Sequence, residues 1–395
     1  MKQCLRLIIV FILTYCFLAC LPGCGERIKK ETATLAKASF SIGETVKLHS
    51  TILNEDNEMY ISTPDDYSTS TEKYPVIYVL DGKYHFPIVA AAAKLLYEYQ
   101  KIPKCIIVGI STKNRDRDYT PPLVSGFRKP DVMTAAGGAD AYVEHLSNEL
   151  VPYIDQHYRT QPYRLLIGHS LGGLFAVHTL VTQPSLFQAY VNIEGSLWFN
   201  NGDEGNKLID YLKSQPDCKN NFLWVMEKMD PSYWFPITQT LHDYLESKRP
   251  PGFNYKFIEI ENDQHETLIY PGAYAALREL YKNYMFEFSP TSNLDDINKH
   301  YDSLSVALKY KVAIPEDIYF IDVEHCKIIW KDINKAMVTC REWIKNYPKS
   351  ARALEVTGDT YMLMGKKDSS IVYLKKSLEI SPGNTAVKDK LKKLQ

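Results

Sequence analysis

The chain has 395 residues and is 45% hydrophobic, long enough for one large domain and a smaller one around a substantial core. With 46 basic and 47 acidic residues its charge is nearly balanced, which excludes the electrostatic footprint of a nucleic-acid-binding protein. Beyond residue 24 the only cysteines are Cys105, Cys218, Cys326 and Cys340, which have neither a disulfide framework nor the spacing of a zinc site, so no metal and no cofactor is expected.

In chain order, Lys2 and Arg6 precede an apolar run from Leu7 to Ala19, a pattern that predicts an export signal over residues 1–24. Ala19-Cys20 and Gly23-Cys24 each resemble a bacterial lipoprotein processing site, which predicts a periplasmic protein, either released or held to the membrane by an N-terminal lipid. A linker over 25–44 follows. From 45 to 288 strand and helix patterns alternate, with strands near 46–52, 57–63, 75–80, 104–110, 163–167, 189–193, 221–226 and 254–260. Helices read near 86–100, 140–157, 171–183, 204–214, 236–247 and 271–284. The continuously apolar strands Val76–Leu80 and Ile106–Ile110 call for a sheet covered on both faces, hence an α/β fold with a mostly parallel sheet. Ser289–Asn293 then reads as a linker, and 289–395 as a small all-α domain. Leu354, Gly358, Tyr361, Gly365, Leu374 and Pro382 fall where a tetratricopeptide repeat places large, small and turn residues, and such repeats bind peptides. A cap packed on the larger domain is the other reading of this segment.

The most informative segment is Gly168-His169-Ser170-Leu171-Gly172-Gly173, preceded by the apolar run Tyr163–Ile167 and followed by a helix pattern. Strand, Gly-x-Ser-x-Gly, helix is the setting of a nucleophile elbow, in which a tight turn lifts the serine out of the sheet edge. Glycines at 168 and 172 would relieve collisions in that turn, and Gly173 would let the helix approach the sheet. Ser170 needs a base, which in this architecture follows it in the chain after the last strand. His265, in the polar loop Glu261–His265, meets that condition; His178, His242, His300 and His325 do not.

The acid that orients the imidazole is expected near the end of the strand at 221–226. Asp230 is the first choice because its short arm precedes Pro231, Glu227 is the alternative, and Glu194, after the preceding strand, is a third. For the oxyanion, the backbone N–H of Leu171 supplies one donor, and that of Lys83, beyond Asp81-Gly82, the other. Tyr84, Arg115, Tyr119, His169, Trp198 and Trp234 are expected to line the substrate site, with Arg115 and Arg117 either holding a carboxylate or pairing with Asp116 and Asp118.

With these residues placed, a resemblance becomes specific. Tyr74–Gly82 (YPVIYVLDG), Asn114–Pro121 (NRDRDYTP), Tyr158–Gly173 and Ser196-Leu197-Trp198 resemble the Putative esterase family of α/β-hydrolases. That family takes in esterase D, siderophore esterases, feruloyl and acetylxylan esterases, and mycolyltransferases. The resemblance covers about 45–285 and implies an α/β-hydrolase fold with Ser170 and His265 as catalytic residues. Two departures bear on the acid: Glu194-Gly195 stands where relatives show Ser-Pro, and Met226 replaces a small residue.

The sequence thus reads as an exported serine hydrolase acting on a small-molecule or saccharide ester. A siderophore or aryl ester as substrate is implied by the resemblance alone. The alternatives are an acyltransferase of the same fold, or an inactive hydrolase-like protein that binds a partner through its helical tail.

Overall fold

The computed structural model describes residues 40–68 and 70–394, so the export and lipid-attachment segment read at 1–24 lies outside the described residues. The hairpin β1 (Glu44–Ser50) and β2 (Glu55–Ser62) is followed by β3 (Tyr74–Leu80), α1 (Gly82–Glu98), β4 (Ile106–Ile110) and a one-turn helix α2 (Arg115–Asp118). Helices α3 (Ala139–His145) and α4 (Val151–His157) are joined without a break by a π-helical turn, Leu146–Leu150. Then come β5 (Thr160–His169), α5 (Leu171–Thr182), β6 (Ala189–Ile193), α6 (Asp203–Ser214), β7 (Asn221–Glu227), α7 (Pro236–Ser247), β8 (Asn254–Ile260) and α8 (Ile269–Leu280).

The eight strands form one sheet in the order β1-β2-β4-β3-β5-β6-β7-β8. β2 pairs antiparallel with β1 and β4, and every other pairing is parallel. Side-chain alternation explains why the middle strands carry no polar face. On β3, Val76, Tyr78 and Leu80 enter the core on one side of the sheet, while Ile77 and Val79 enter the core on the other. This is the mostly parallel α/β sheet expected from the alternation of elements, in the α/β-hydrolase arrangement that the resemblance implies.

The sheet edge that matters is where the parallel strands end. Ser170 follows β5, Glu194 follows β6 and His265 lies beyond β8, so the fold itself delivers these side chains to one rim. The helix expected near 86–100 starts earlier. α1 begins at Gly82, directly after β3, because Asp81 takes a left-handed conformation (φ 56°, ψ 42°) that turns the chain at once. The close packing there needs the glycine: a Cβ on Gly82 would stand 2.5 Å from the carbonyl carbon of Gly109 on β4.

Six further helices follow: α9 (Leu294–Leu308), α10 (Glu316–Ile328), α11 (Ile333–Asn346), α12 (Ala351–Leu363), α13 (Lys367–Ile380) and α14 (Thr385–Leu394). Asn293 starts α9 with a reciprocal capping box to Asp296. The packing continues across Ser289–Asn293. Tyr301 and Leu308 of α9, with Tyr310 and Val312 beyond it, join the same core as Tyr163 and Tyr281. α10, α11 and α12 build a separate core around Trp343, and Leu374 of α13 meets Val387 and Leu391 of α14 in a third. Tyr163 stands near the start of β5, so the core that α9 joins lies at the end of that strand opposite Ser170.

Candidate active site

Ser170 has φ 58° and ψ −119°, a left-handed backbone that a residue with a side chain holds only when its surroundings fix it. The fixing is visible. The Ser170 N–H donates to the Ile193 carbonyl (3.0 Å), and the Ser196 N–H donates to the Ser170 carbonyl (3.0 Å), strapping the elbow to the end of β6. A Cβ on Gly168 would stand 2.1 Å from the Gly172 carbonyl oxygen, and one on Gly173 would stand 2.6 Å from Gly195 Cα. Gly172 departs from the expectation: its Cβ would meet Leu80 at 3.5 Å and the Asp81 carboxylate at 3.6 Å, both ordinary contacts. Gly168→Ala is therefore expected to destabilise by about 2–4 kcal/mol, and Gly172→Ala by under about 1 kcal/mol, measured by urea denaturation.

The structure brings Ser170 and His265 together. The Ser170 hydroxyl donates to His265 Nε2 at 3.1 Å, and His265 Nδ1–H donates to Glu194 Oε2 at 2.6 Å. A carboxylate only accepts, so the proton on this imidazole sits on Nδ1 and leaves Nε2 free to take one. The Glu194 side chain is 8% exposed, and its second oxygen accepts from the Glu227 N–H at 2.9 Å. Burial alone would raise the Glu194 pKa, but the bonds from His265 and Glu227 outweigh it and hold the carboxyl below its usual range. The bond to Glu194 raises the His265 pKa, against a smaller opposing effect of burial.

Asp230, the first choice for the acid, stands elsewhere. It is exposed, and its carboxylate accepts from the Ser232 N–H at 2.9 Å, capping the short turn Pro231–Tyr233. The rigid turn that favoured it on sequence uses the side chain for its own cap. Glu227, the alternative, contributes its backbone N–H rather than its carboxylate. The carboxylate on the imidazole comes from one strand nearer the serine, and the glutamate arm covers the extra reach. The sequence signal for it was the departure from the family pattern at Glu194-Gly195.

On the oxyanion side, Leu171 opens α5 directly after the serine. The Lys83 N–H, expected to be the second donor, donates here to the Ser111 hydroxyl at 3.1 Å. Four of the residues expected to line the substrate site are bonded into the scaffold, Arg115 while still bordering a cleft with Asp81 and Lys83. Arg115 makes a two-pronged bond to Asp81 (2.7 and 3.0 Å) and reaches the His169 carbonyl at 3.2 Å. Tyr119 is fully buried and its hydroxyl accepts from the Asp81 N–H at 3.1 Å. His169 bonds through Nε2 to the His265 carbonyl at 2.7 Å. Trp234 packs edge-on against His242 and Phe257. Arg117 pairs with Asp118 and Glu55. Tyr84, 70% exposed, and Trp198, partly buried against Phe199 and Phe235, remain near the rim. Ser196, part of the Ser-Leu-Trp match but not among the expected site residues, has its hydroxyl 3.3 Å from that of Ser170.

The geometry defines a serine-hydrolase arrangement: a strained serine, an imidazole with its acceptor nitrogen toward that serine, and a buried carboxylate behind it. Residues 50–221 match the sequence profile of the Putative esterase family. The crystal structure of an IroE-like serine hydrolase from Shewanella oneidensis superimposes with a TM-score of 0.67 at 27% identity, covering 77% of this chain and 99% of that one. Among curated proteins of Bacillus subtilis, the uncharacterized protein YbbA is 32% identical over 36% of this chain and 57% of its own length. The ferri-bacillibactin esterase BesA is 31% identical over 37% of this chain and 56% of its own. The match thus spans little more than half the length of these two curated relatives. Over residues 50–221 the chain is thus similar to the Putative esterase family.

Proposed function

We propose that the protein hydrolyses carboxylic esters through Ser170, His265 and Glu194. The observation that carries this reading is the continuous pair of hydrogen bonds from the Ser170 hydroxyl to His265 and from His265 to Glu194. His265 Nε2 takes the hydroxyl proton as Ser170 Oγ attacks the ester carbonyl, and Glu194 stabilises the imidazolium so formed. The tetrahedral oxyanion is held by the Leu171 N–H and, once Ser111 releases it, by the Lys83 N–H. The imidazolium returns its proton to the departing alcohol. Water, deprotonated by the same nitrogen, then cleaves the acyl-enzyme, and Ser170 is regenerated.

The substrate in this reading is a siderophore-type ester. Its support is the likeness to BesA, a ferri-bacillibactin esterase, together with a cleft of about 440 Å³ lined in part by Asp81, Lys83, Tyr84, Ser111 and Arg115, beside the Lys83 N–H expected to hold the oxyanion. A cleft of that size takes a ligand much larger than an acetyl group. The decisive assay offers ferric and iron-free siderophore esters, feruloyl and acetyl sugars, and nitrophenyl esters to the wild-type protein. Siderophore esters should give the highest kcat/KM; a protein that cleaves none of these esters and is not labelled by a fluorophosphonate would defeat the reading. Acyl transfer to an added sugar, if it outran hydrolysis, would indicate the acyltransferase instead.

The reading extends to location and tail. The basic-apolar-small pattern of residues 1–24 supports export with a lipid on Cys20 or Cys24, which mass spectrometry of the mature N-terminus would test. Helices α10–α13 pack each on the next, and the close contact of Gly358 with Leu374 (2.9 Å to a Cβ placed there) supports tetratricopeptide-like pairing.

A further inference from the structure

The helical turn α2 and the residue just after it bind the neighbouring segments in a way the reaction itself does not require. Asn114 caps the turn by accepting from the Arg117 N–H at 3.0 Å. From it, Arg115 grips both carboxylate oxygens of Asp81, whose side chain is 10% exposed, and the same guanidinium reaches the carbonyl of His169. Tyr119 takes the Asp81 N–H. Asp81 is the left-handed residue that starts α1, two positions before Lys83, so its side chain and its backbone N–H are both tied down. On the other flank the ring of His169, the residue before the nucleophile, bonds to the backbone carbonyl of His265 and lies 4.7 Å from the imidazole ring. A carbonyl only accepts, so His169 carries its proton on Nε2. Burial, with His265 and His85 nearby, pushes the His169 pKa down to about 4, and the ring stays a neutral donor at working pH.

These contacts form one chain: Asp81 to Arg115, Arg115 to the His169 carbonyl, the His169 ring to the His265 carbonyl. We infer that Arg115 and His169 are positioning residues that hold the oxyanion loop, the nucleophile elbow and the base loop in mutual register. The inference rests on the esterase reading above. Only a guanidinium has the geometry for the first link. Its planar fork meets two carboxylate oxygens and a carbonyl at once, whereas a lysine ammonium is a single point of charge. The work of such a brace is done in the transition state, because small displacements between nucleophile, base and oxyanion donors cost far more rate than affinity.

The test is steady-state kinetics of full-length Arg115→Ala, Arg115→Lys, His169→Leu and His169→Gln on a nitrophenyl ester. Arg115→Ala and Arg115→Lys should lower kcat roughly 10–100-fold with KM changed by less than about threefold. Guanidinium at non-denaturing concentration should restore part of the kcat of Arg115→Ala, and ethylammonium should not. His169→Gln, which keeps a donor where Nε2 stands, should retain most activity, and His169→Leu should lose about tenfold or more. A raised KM with kcat intact in the Arg115 variants would overturn the inference and make Arg115 a substrate clamp. Unchanged kinetics would overturn it too, and if Arg115→Ala does not fold, Arg115→Lys decides by the same criterion. Because these outcomes are read against a wild-type protein that cleaves the ester, they are distinct from failure of the esterase reading, in which the wild type is inert.

Discussion

Ser170→Ala is expected to lower kcat toward a nitrophenyl ester by roughly 10⁴–10⁶-fold, and fluorophosphonate labelling should vanish with it. The magnitude follows from what is lost. Without the hydroxyl there is no acyl-enzyme route, and only His265 acting on water, with the oxyanion donors, is left to accelerate hydrolysis. The fold should survive, because alanine keeps the Cβ and the backbone at φ 58° is held by bonds from main-chain atoms. Circular dichroism and thermal unfolding check that point. His265→Ala should cost about as much, and the double variant little more than either single one, since residues that act as a unit do not add. Activity of Ser170→Ala within tenfold of wild type would mean that the ester is cleaved somewhere else.

Glu194→Gln carries the second large effect, a fall in kcat of roughly 10²–10⁴-fold with a displaced pH profile. The amide can donate to His265 Nδ1 and so favours the tautomer with its proton on Nε2, the nitrogen that must accept from Ser170. It also removes the negative charge that stabilises the imidazolium. His265 works only when neutral, so the rate falls as pH drops through its pKa. That pKa is raised in the native site, chiefly by the bond to Glu194, which places the acid limb of kcat/KM above the ordinary histidine value. Removing the charge lowers it again, and the acid limb of Glu194→Gln should lie at lower pH than that of wild type. Asp230→Asn, made in parallel, should leave rate and profile within about twofold, because that carboxylate caps a surface turn. The opposite ranking of the two variants would return the acid to the end of β7.

The meeting of Ser170 and His265 was legible because chain order and local pattern suffice for it. A glycine-flanked serine between an apolar strand and a helix has few other uses, and a histidine in the polar loop after the last strand follows from topology. The carboxylate was harder. Its position depends on which strand end faces the imidazole, and the reach of a side chain across a sheet edge is a property of packing, not of local sequence. The substrate contacts fared differently again. Arg115, Tyr119 and His169 are polar or aromatic residues near strand ends, the profile of a binding site, yet each meets a backbone group or a neighbouring side chain that no sequence spacing reveals. The helix start at Gly82 was not legible, because a left-handed aspartate starting a helix leaves the same residue signature as a β-turn.

The placement of the tail has a practical consequence. Tyr163 packs against Tyr281 and Tyr310 at one end of β5, while Ser170 stands just past the other, about 20 Å further along at the rise of a strand. A partner docked where α9 meets this core therefore stands a strand's length from Ser170 and leaves that rim uncovered. A fluorophore on exposed Val306 of α9 would report on docking there while the chemistry at Ser170 is followed in the same sample.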